Sequence, residues 1–164
     1  MIPKIIHYCW FGRGEMPELV KQCIASWHTY MLDWEYRLWT EDNFDMLSAP
    51  AYVQEAYAAK KYAFVSDYVR LWALEQEGGL YMDVDFEVYK PFDDLMIQYD
   101  AFAGYEGSKK NPVMMGVIAT KAHHPWIQEM MQTYKQRSFI KADGSYDMTP
   151  ILVIFSIGCK SEGL

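Results

Sequence analysis

The sequence predicts an α/β fold. Three observations carry this expectation. Short apolar, β-branched segments alternate with helical stretches, as a sheet with crossover helices requires. The double glycine Gly78-Gly79 ends a long helical segment and is followed at once by a further apolar run. The chain has 164 residues, 51% of them apolar, which is enough for one domain with a sizeable core.

Taken in order, Lys4 to Trp10 reads as the first strand, and Phe11-Gly12-Arg13-Gly14 breaks it as a loop. Pro17 suits a helix's first turn. Val20, Cys23, Ile24 and Trp27 then recur at helical spacing. Tyr36 to Trp39 is a second strand. Ser48 is the expected N-cap of helical sequence running to about Glu77 with an interruption near Lys60. Leu80 to Val88 reads as a strand, Pro91 to Leu95 as a turn, and Ala101 to Tyr105 and Val113 to Ala119 as further strands. Pro125 opens a last helix whose buried stripe is Trp126, Ile127, Met130, Met131 and Tyr134. After Pro150 comes one apolar run, Ile151 to Ile157, and a short polar tail.

Bulk properties narrow the function classes. A net charge of −7 argues against a nucleic-acid binder, and Lys60-Lys61 and Lys109-Lys110 are too short for a polybasic anchor. Six Trp and thirteen Tyr are many for this length; aromatics dominate cores, but they also floor sugar and base sites. Cys9, Cys23 and Cys159 are widely spaced, with no metal-ligand pairing. The thiols and the lack of a signal-peptide layout lead us to expect a cytoplasmic protein. No apolar run is long enough to span a membrane; peripheral membrane association stays open.

The most informative residues are Gly78-Gly79-Leu80-Tyr81-Met82-Asp83-Val84-Asp85. In an extended segment Asp83 and Asp85 share a face. Two like charges ~5 Å apart at an effective dielectric near ~20 repel by roughly 3 kcal/mol, so the pair calls for a cation. On spacing alone, a solvated strand end carrying two acids is the simpler reading. The preceding helix adds context. From Ala63 to Leu74 its strongly polar residues are Ser66, Asp67 and Arg70, confined to an arc of roughly 100°. Either Asp67 and Arg70 form a solvent-facing pair, or the stripe opens into a cleft where Arg70 grips phosphate oxygens and Asp67 accepts from sugar hydroxyls.

Ala63-x-x-Ser66-Asp67-x-x-Arg70 followed by Gly78-Gly79-x-Tyr81-x-Asp83-x-Asp85 resembles the signature of the Asp-x-Asp sugar transferases, most closely glycosyltransferase family 32, which includes capsular-polysaccharide and initiating mannosyl transferases. Ile2-Pro3-Lys4-Ile5-Ile6-His7-Tyr8-Cys9-Trp10, Ser26-Trp27 and Tyr36-Arg37-Leu38-Trp39 match further landmarks in register, over about residues 2–135. The resemblance implies a single GT-A-type, Rossmann-like domain over residues 1–164, with an atypical or incomplete part at 150–164. It implies Mn²⁺ or Mg²⁺, a UDP- or GDP-sugar donor, a glycan or lipid-linked acceptor, and transfer with retention. Trp10 would stack on the base and Asp67 hold ribose or sugar hydroxyls. Arg70 would contact donor sugar or diphosphate. Asp83 would reach sugar and metal, and Asp85 would be the principal metal ligand. Tyr81 would pack beneath the acids on the donor side. Glu87 is assigned no chemistry, Tyr105-Glu106 is a weak acceptor-side candidate, and His123-His124-Pro125 reads as a helix cap. Two other classes compete. One is a non-catalytic nucleotide-sugar-binding remnant, suggested by the short end; the other is an Asp-x-Asp phosphohydrolase, disfavoured by the helix and double glycine ahead of the acids.

Overall fold

The structure is a computed structural model, and it describes residues 1–105 and 113–151. Glu106, Lys109-Lys110, the apolar run beyond Ile151, Cys159 and the expected atypical part beyond residue 151 lie outside the described residues.

Among the described residues five strands form one mixed sheet: β1 (Ile5–Cys9), β2 (Glu35–Trp39), β3 (Gly79–Met82), β4 (Ala101–Tyr105) and β5 (Val113–Thr120), in the order β2-β1-β3-β5-β4. β1 pairs in parallel with both β2 and β3, whereas β5 runs antiparallel to β3 and β4. After β2 the chain crosses back to the far side of β1, so the strand order reverses between β1 and β3. In open α/β sheets ligands bind outside the carboxyl ends of the strands at such a reversal. Trp10 and Asp83 immediately follow those two strands.

The helices are α1 (Glu18–Tyr30), α2 (Ala51–Ala58), α3 (Tyr62–Glu77), α4 (Asp93–Gln98) and α5 (Pro125–Tyr134), with a short 3₁₀ turn at Met46–Ser48. One core lies where α2, α3 and α5 cover the sheet, built on Tyr52, Val69, Leu71, Leu74, Ile127 and Tyr134. The other lies under α1 and α4, with Trp27, Met31, Leu80, Val117 and Met96. The buried positions of α1 are Val20, Cys23 and Trp27, and Ile24, the fourth residue of the stripe its periodicity predicts, is half-buried against the same core.

Several boundaries correct the sequence reading. The strand expected over Leu80 to Val88 ends at Met82, and the chain then turns, with the Phe86 amide donating to the Asp83 carbonyl at 3.2 Å. The acids therefore do not share the face of an extended strand, and Glu87 is not aligned with them on one. The turn expected at Pro91 to Leu95 contains the start of α4. The interruption expected near Lys60 is there: the helical sequence is two helices, α2 and α3, broken where Lys60 takes φ 57°. Ser48 lies in the 3₁₀ turn, and Pro50 occupies the cap of α2. His124 caps α5, its ring nitrogen accepting from the Trp126 amide.

Gly79 sits where no other residue fits. Its φ is 114°, and a Cβ there would lie 2.7 Å from the Ile5 carbonyl oxygen. Beside it, His7 is fully buried. Its Nδ1 accepts from the Trp39 indole N–H at 3.2 Å, which puts the ring proton on Nε2, 2.8 Å from the Gly78 carbonyl. The ring thus ties β1 to β2 and to the glycine corner that launches β3.

Candidate active site

Four elements converge at the carboxyl end of β1 and β3: the loop after β1, the polar stripe of α3, the turn after β3, and the start of β5. Arg70 is the hub. Only 5% exposed, it is held on all sides. Its Nη2 lies 2.8 Å from Asp67 Oδ1 and 3.4 Å from Asp83 Oδ1. Its Nη1 donates to the Met115 carbonyl on β5 at 2.5 Å, and its guanidinium lies 4.6 Å from the centre of the Tyr81 ring. Burial alone works against the Arg70 charge, but Tyr81, Asp67 and Asp83 outweigh it and hold the group protonated above its ordinary value. Asp67 and Arg70 of the helical stripe and Asp83 after Gly-Gly are therefore one ionic cluster, not a solvated pair.

Asp83 is about one-third exposed and accepts the Tyr81 hydroxyl at 2.9 Å. Burial pushes its carboxyl above the ordinary range, with Asp85 adding to the rise while Arg70 and the Tyr81 hydroxyl oppose it. Asp67 is pushed the same way by burial, against the pull of Arg70, and also accepts a backbone hydrogen bond from Ile151. Tyr81 is 1% exposed, so its ring and hydroxyl serve Arg70 and Asp83 from beneath. Asp85 is different. It is exposed, and it makes no hydrogen bond or ion pair with any described residue.

The backbone of β5 makes room for the acids. Gly116 accepts the Asp83 amide at 2.8 Å, and a Cβ on Gly116 would meet Asp83 Oδ2 and the Phe86 ring, each at 2.8 Å. From the other face, α1 pins the acid turn: the Trp27 indole donates to the Phe86 carbonyl at 2.7 Å, and the Val88 amide donates to Ser26 Oγ at 2.9 Å. Sequence reasoning gave Gly116, Met115, Ser26 and Trp27 no place at the site. A glycine inside the β-branched run of β5 was the available signal for Gly116; Ser26-Trp27 carried only the family landmark.

Trp10 is half-buried. Its amide donates to the Trp39 carbonyl and its indole N–H to the Gly14 carbonyl at 2.7 Å, which fixes the ring at the strand end. Glu41 steadies the same loop, accepting from the Gly12 amide at 2.6 Å and from the Tyr57 hydroxyl at 3.2 Å. Cys9 is buried, and burial pushes its thiol up to about 12.

Among the described residues no group of three or more His, Cys, Asp or Glu could by itself enclose a metal. The residues present nevertheless fit a hard divalent cation that takes most of its shell from phosphate and water. An uncommitted carboxylate, Asp85, stands beside a second, Asp83, whose contact with Arg70 is made through Oδ1 and not Oδ2.

The fold is that of the GT-A glycosyltransferases. The PaToxG glycosyltransferase superposes with a TM-score of 0.68 at 18% identity, covering 99% of this chain and 70% of that one. Residues 1–146 match the family model described as capsular polysaccharide synthesis protein, and the chain belongs to that family. Curated relatives include two proteins of Schizosaccharomyces pombe. Inositol phosphoceramide mannosyltransferase 3 is 27% identical over 160 residues (96% of this chain, 42% of its own length). Inositol phosphoceramide mannosyltransferase 2 is 27% identical over 163 residues (96% and 44%). The chain thus spans less than half the length of these relatives. No helix among the described residues is long and apolar enough to cross a membrane.

Proposed function

We propose that this chain is a metal-dependent glycosyltransferase domain that moves a sugar from a UDP- or GDP-sugar to a glycan or lipid-linked acceptor with retention. The observation that carries the reading is the Arg70 cluster at the strand-order reversal. A buried cation is locked between Asp67 and Asp83, and Asp85 is left free at the surface beside them. Family membership supports the class of activity.

In this reading Trp10 supplies a face for the base. Asp83 and Asp85 form the corner that receives the diphosphate with Mn²⁺ or Mg²⁺. The chemistry a divalent cation supplies there is Lewis-acid neutralisation of the leaving diphosphate. Arg70 acts chiefly by holding Asp67 and Asp83 in fixed orientations, because its own donors are already engaged. Asp67, bonded to Arg70 and Ile151, presents its remaining lone pairs to donor hydroxyls. The transfer breaks the bond from the anomeric carbon to the diphosphate oxygen and forms one to an acceptor hydroxyl oxygen. That hydroxyl's proton passes to the diphosphate oxygen freed by the cleavage, and the nucleoside diphosphate departs. The transition state is oxocarbenium-like, as in glycoside hydrolysis. Free thiols at Cys9 and Cys23 suit a cytoplasmic site of action. Against an Asp-x-Asp phosphohydrolase stands Asp83 itself, whose Oδ1 is committed to Tyr81 and Arg70.

The test is a panel of UDP- and GDP-sugars incubated with the chain and Mn²⁺. Donor turnover is read by release of nucleoside diphosphate, and the product anomer by NMR. Turnover of one donor, with an anomer matching that donor, is expected. Binding without turnover of any donor, in the presence of acceptors, would leave the non-catalytic remnant as the better description.

A further inference from the structure

A cavity of about 430 Å³ lies beside the acid corner, between the sheet and the segment leading into α4. Its floor is Met82 and Val117, paired neighbours on β3 and β5. Phe86, Val88 and Phe92 form its walls, and Leu95 stands at its mouth, 38% exposed. The charged side chains at the cavity are Glu87, Lys90 and Asp94, from the loop and the first turn of α4. Glu87 is already bonded to the Tyr89 hydroxyl at 2.5 Å. The cavity adjoins the candidate site at Phe86, whose ring lies near the same side of Gly116 as Asp83 Oδ2 and also lines the cavity.

The chemistry of this lining selects its occupant. A glycan brings a hydroxyl at nearly every ring carbon, and each costs free energy if it is buried without a partner. The floor and walls offer no side-chain donor or acceptor. A strongly anionic lipid surface is also a poor match, because Glu87 and Asp94 outnumber Lys90 and the chain carries net charge −7. An uncharged aliphatic chain satisfies both constraints. Exposed apolar residues extend the path outward: Tyr89 is 72% exposed, and Tyr99, one helical turn beyond Leu95, is 43% exposed.

Resting on the glycosyltransferase reading above, we propose that this cavity holds the aliphatic chain of a lipid-linked acceptor, whose hydroxyl-bearing head then lies at the Asp83–Asp85 end. The probe is monomeric n-dodecyl-β-maltoside, with maltose as head-group control, titrated into the 164-residue chain by calorimetry. Dodecyl maltoside is expected to bind at least tenfold more tightly than maltose. Leu95→Asp and Tyr89→Ser, both at exposed positions, are expected to lower that affinity severalfold. UDP or GDP binding with Mn²⁺ is measured on the same samples and is expected to be unchanged by either variant. Equal affinity for maltose would assign a glycan subsite and overturn the proposal. So would an absence of dodecyl maltoside binding, or wild-type affinity in Leu95→Asp. A dimer in sedimentation that Leu95→Asp dissociates would overturn it in favour of a second copy as the occupant. Failure here with nucleotide binding intact concerns the acceptor alone, whereas loss of nucleotide binding in the wild-type chain would remove the transferase reading beneath it.

Discussion

Arg70 is the residue on which the candidate site depends. A buried guanidinium with two carboxylates and a carbonyl around it is costly to break from one side, because the acids are then left unpaired. Arg70→Met is expected to lose about 3–5 kcal/mol of stability near neutral pH. The sign of its pH dependence follows. Asp67 and Asp83 already sit above their ordinary values, so the folded state takes up protons before the unfolded chain does. Without Arg70 both rise further, and the stability they contribute at low pH is lost as pH rises through their folded values. Urea unfolding at pH 5 and pH 7.5 should therefore show a smaller deficit at pH 5. An equal deficit at both would mean that the acids are not coupled to Arg70. His7 acts in the opposite sense. Burial holds its imidazole below the ordinary value, so its contribution is present above about pH 6.5 and is lost on acidification through the folded value. His7→Gln should flatten the fall in unfolding midpoint between pH 6.5 and pH 5. At the proposed base platform, Trp10→Ala should weaken nucleotide binding by about 1–3 kcal/mol with little change in fold, as stacking on a single aromatic would. Unchanged affinity would remove Trp10 from the site.

At the level of elements, the site is a matter of where strands stop. Gly116 in β5 is the clearest case. Alanine there would put a methyl group 2.8 Å from Asp83 Oδ2 and from the Phe86 ring, both movable ends of side chains. The fold should survive Gly116→Ala while the carboxylate is displaced, so metal-dependent nucleotide binding should fall by tenfold or more with only a small change in thermal midpoint. Gly79→Ala is the contrast. Its Cβ would strike the Ile5 carbonyl at 2.7 Å at a φ of 114°, and the expected result is loss of the β1–β3 pairing and of the fold. These elements also mark what the sequence made legible. Helical spacing in α1 placed Trp27 inward, and the double glycine marked the start of β3. The end of β3 was not legible. Residues Asp83 to Val88 keep strand-like alternation, and the turn that bends them is fixed from elsewhere, by Ser26 and Trp27 of α1. The pairing of Asp67 with Asp83 through Arg70 was likewise hidden, because it depends on α3 lying against β3 and β5. Asp67 and Arg70 could be named from their shared stripe, but their partner across the site could not.

For the whole molecule, the architecture joins a rigid corner to an open flank. The strand-order reversal between β1 and β3 brings together the ends of two parallel strands, and β5 closes the third side with backbone groups. The corner's charges are mostly spent on one another, which leaves Asp85 as the exposed carboxylate. Resemblance along residues 2–135 and the α/β pattern made the fold class legible. The apolar cavity under the acid turn was not, because Met82, Phe86, Val88 and Val117 read as ordinary strand residues until the strand is seen to end. In the proposed mechanism Asp85 is the point at which a divalent cation joins the nucleotide to the protein. This is tested most directly by calorimetric titration of UDP and GDP into the wild-type chain and Asp85→Ala, each with and without Mn²⁺. One nucleotide is expected to bind the wild-type chain more tightly with Mn²⁺, and Asp85→Ala is expected to fold normally but to lose that increment. A variant that keeps the full Mn²⁺ dependence would contradict this role for Asp85.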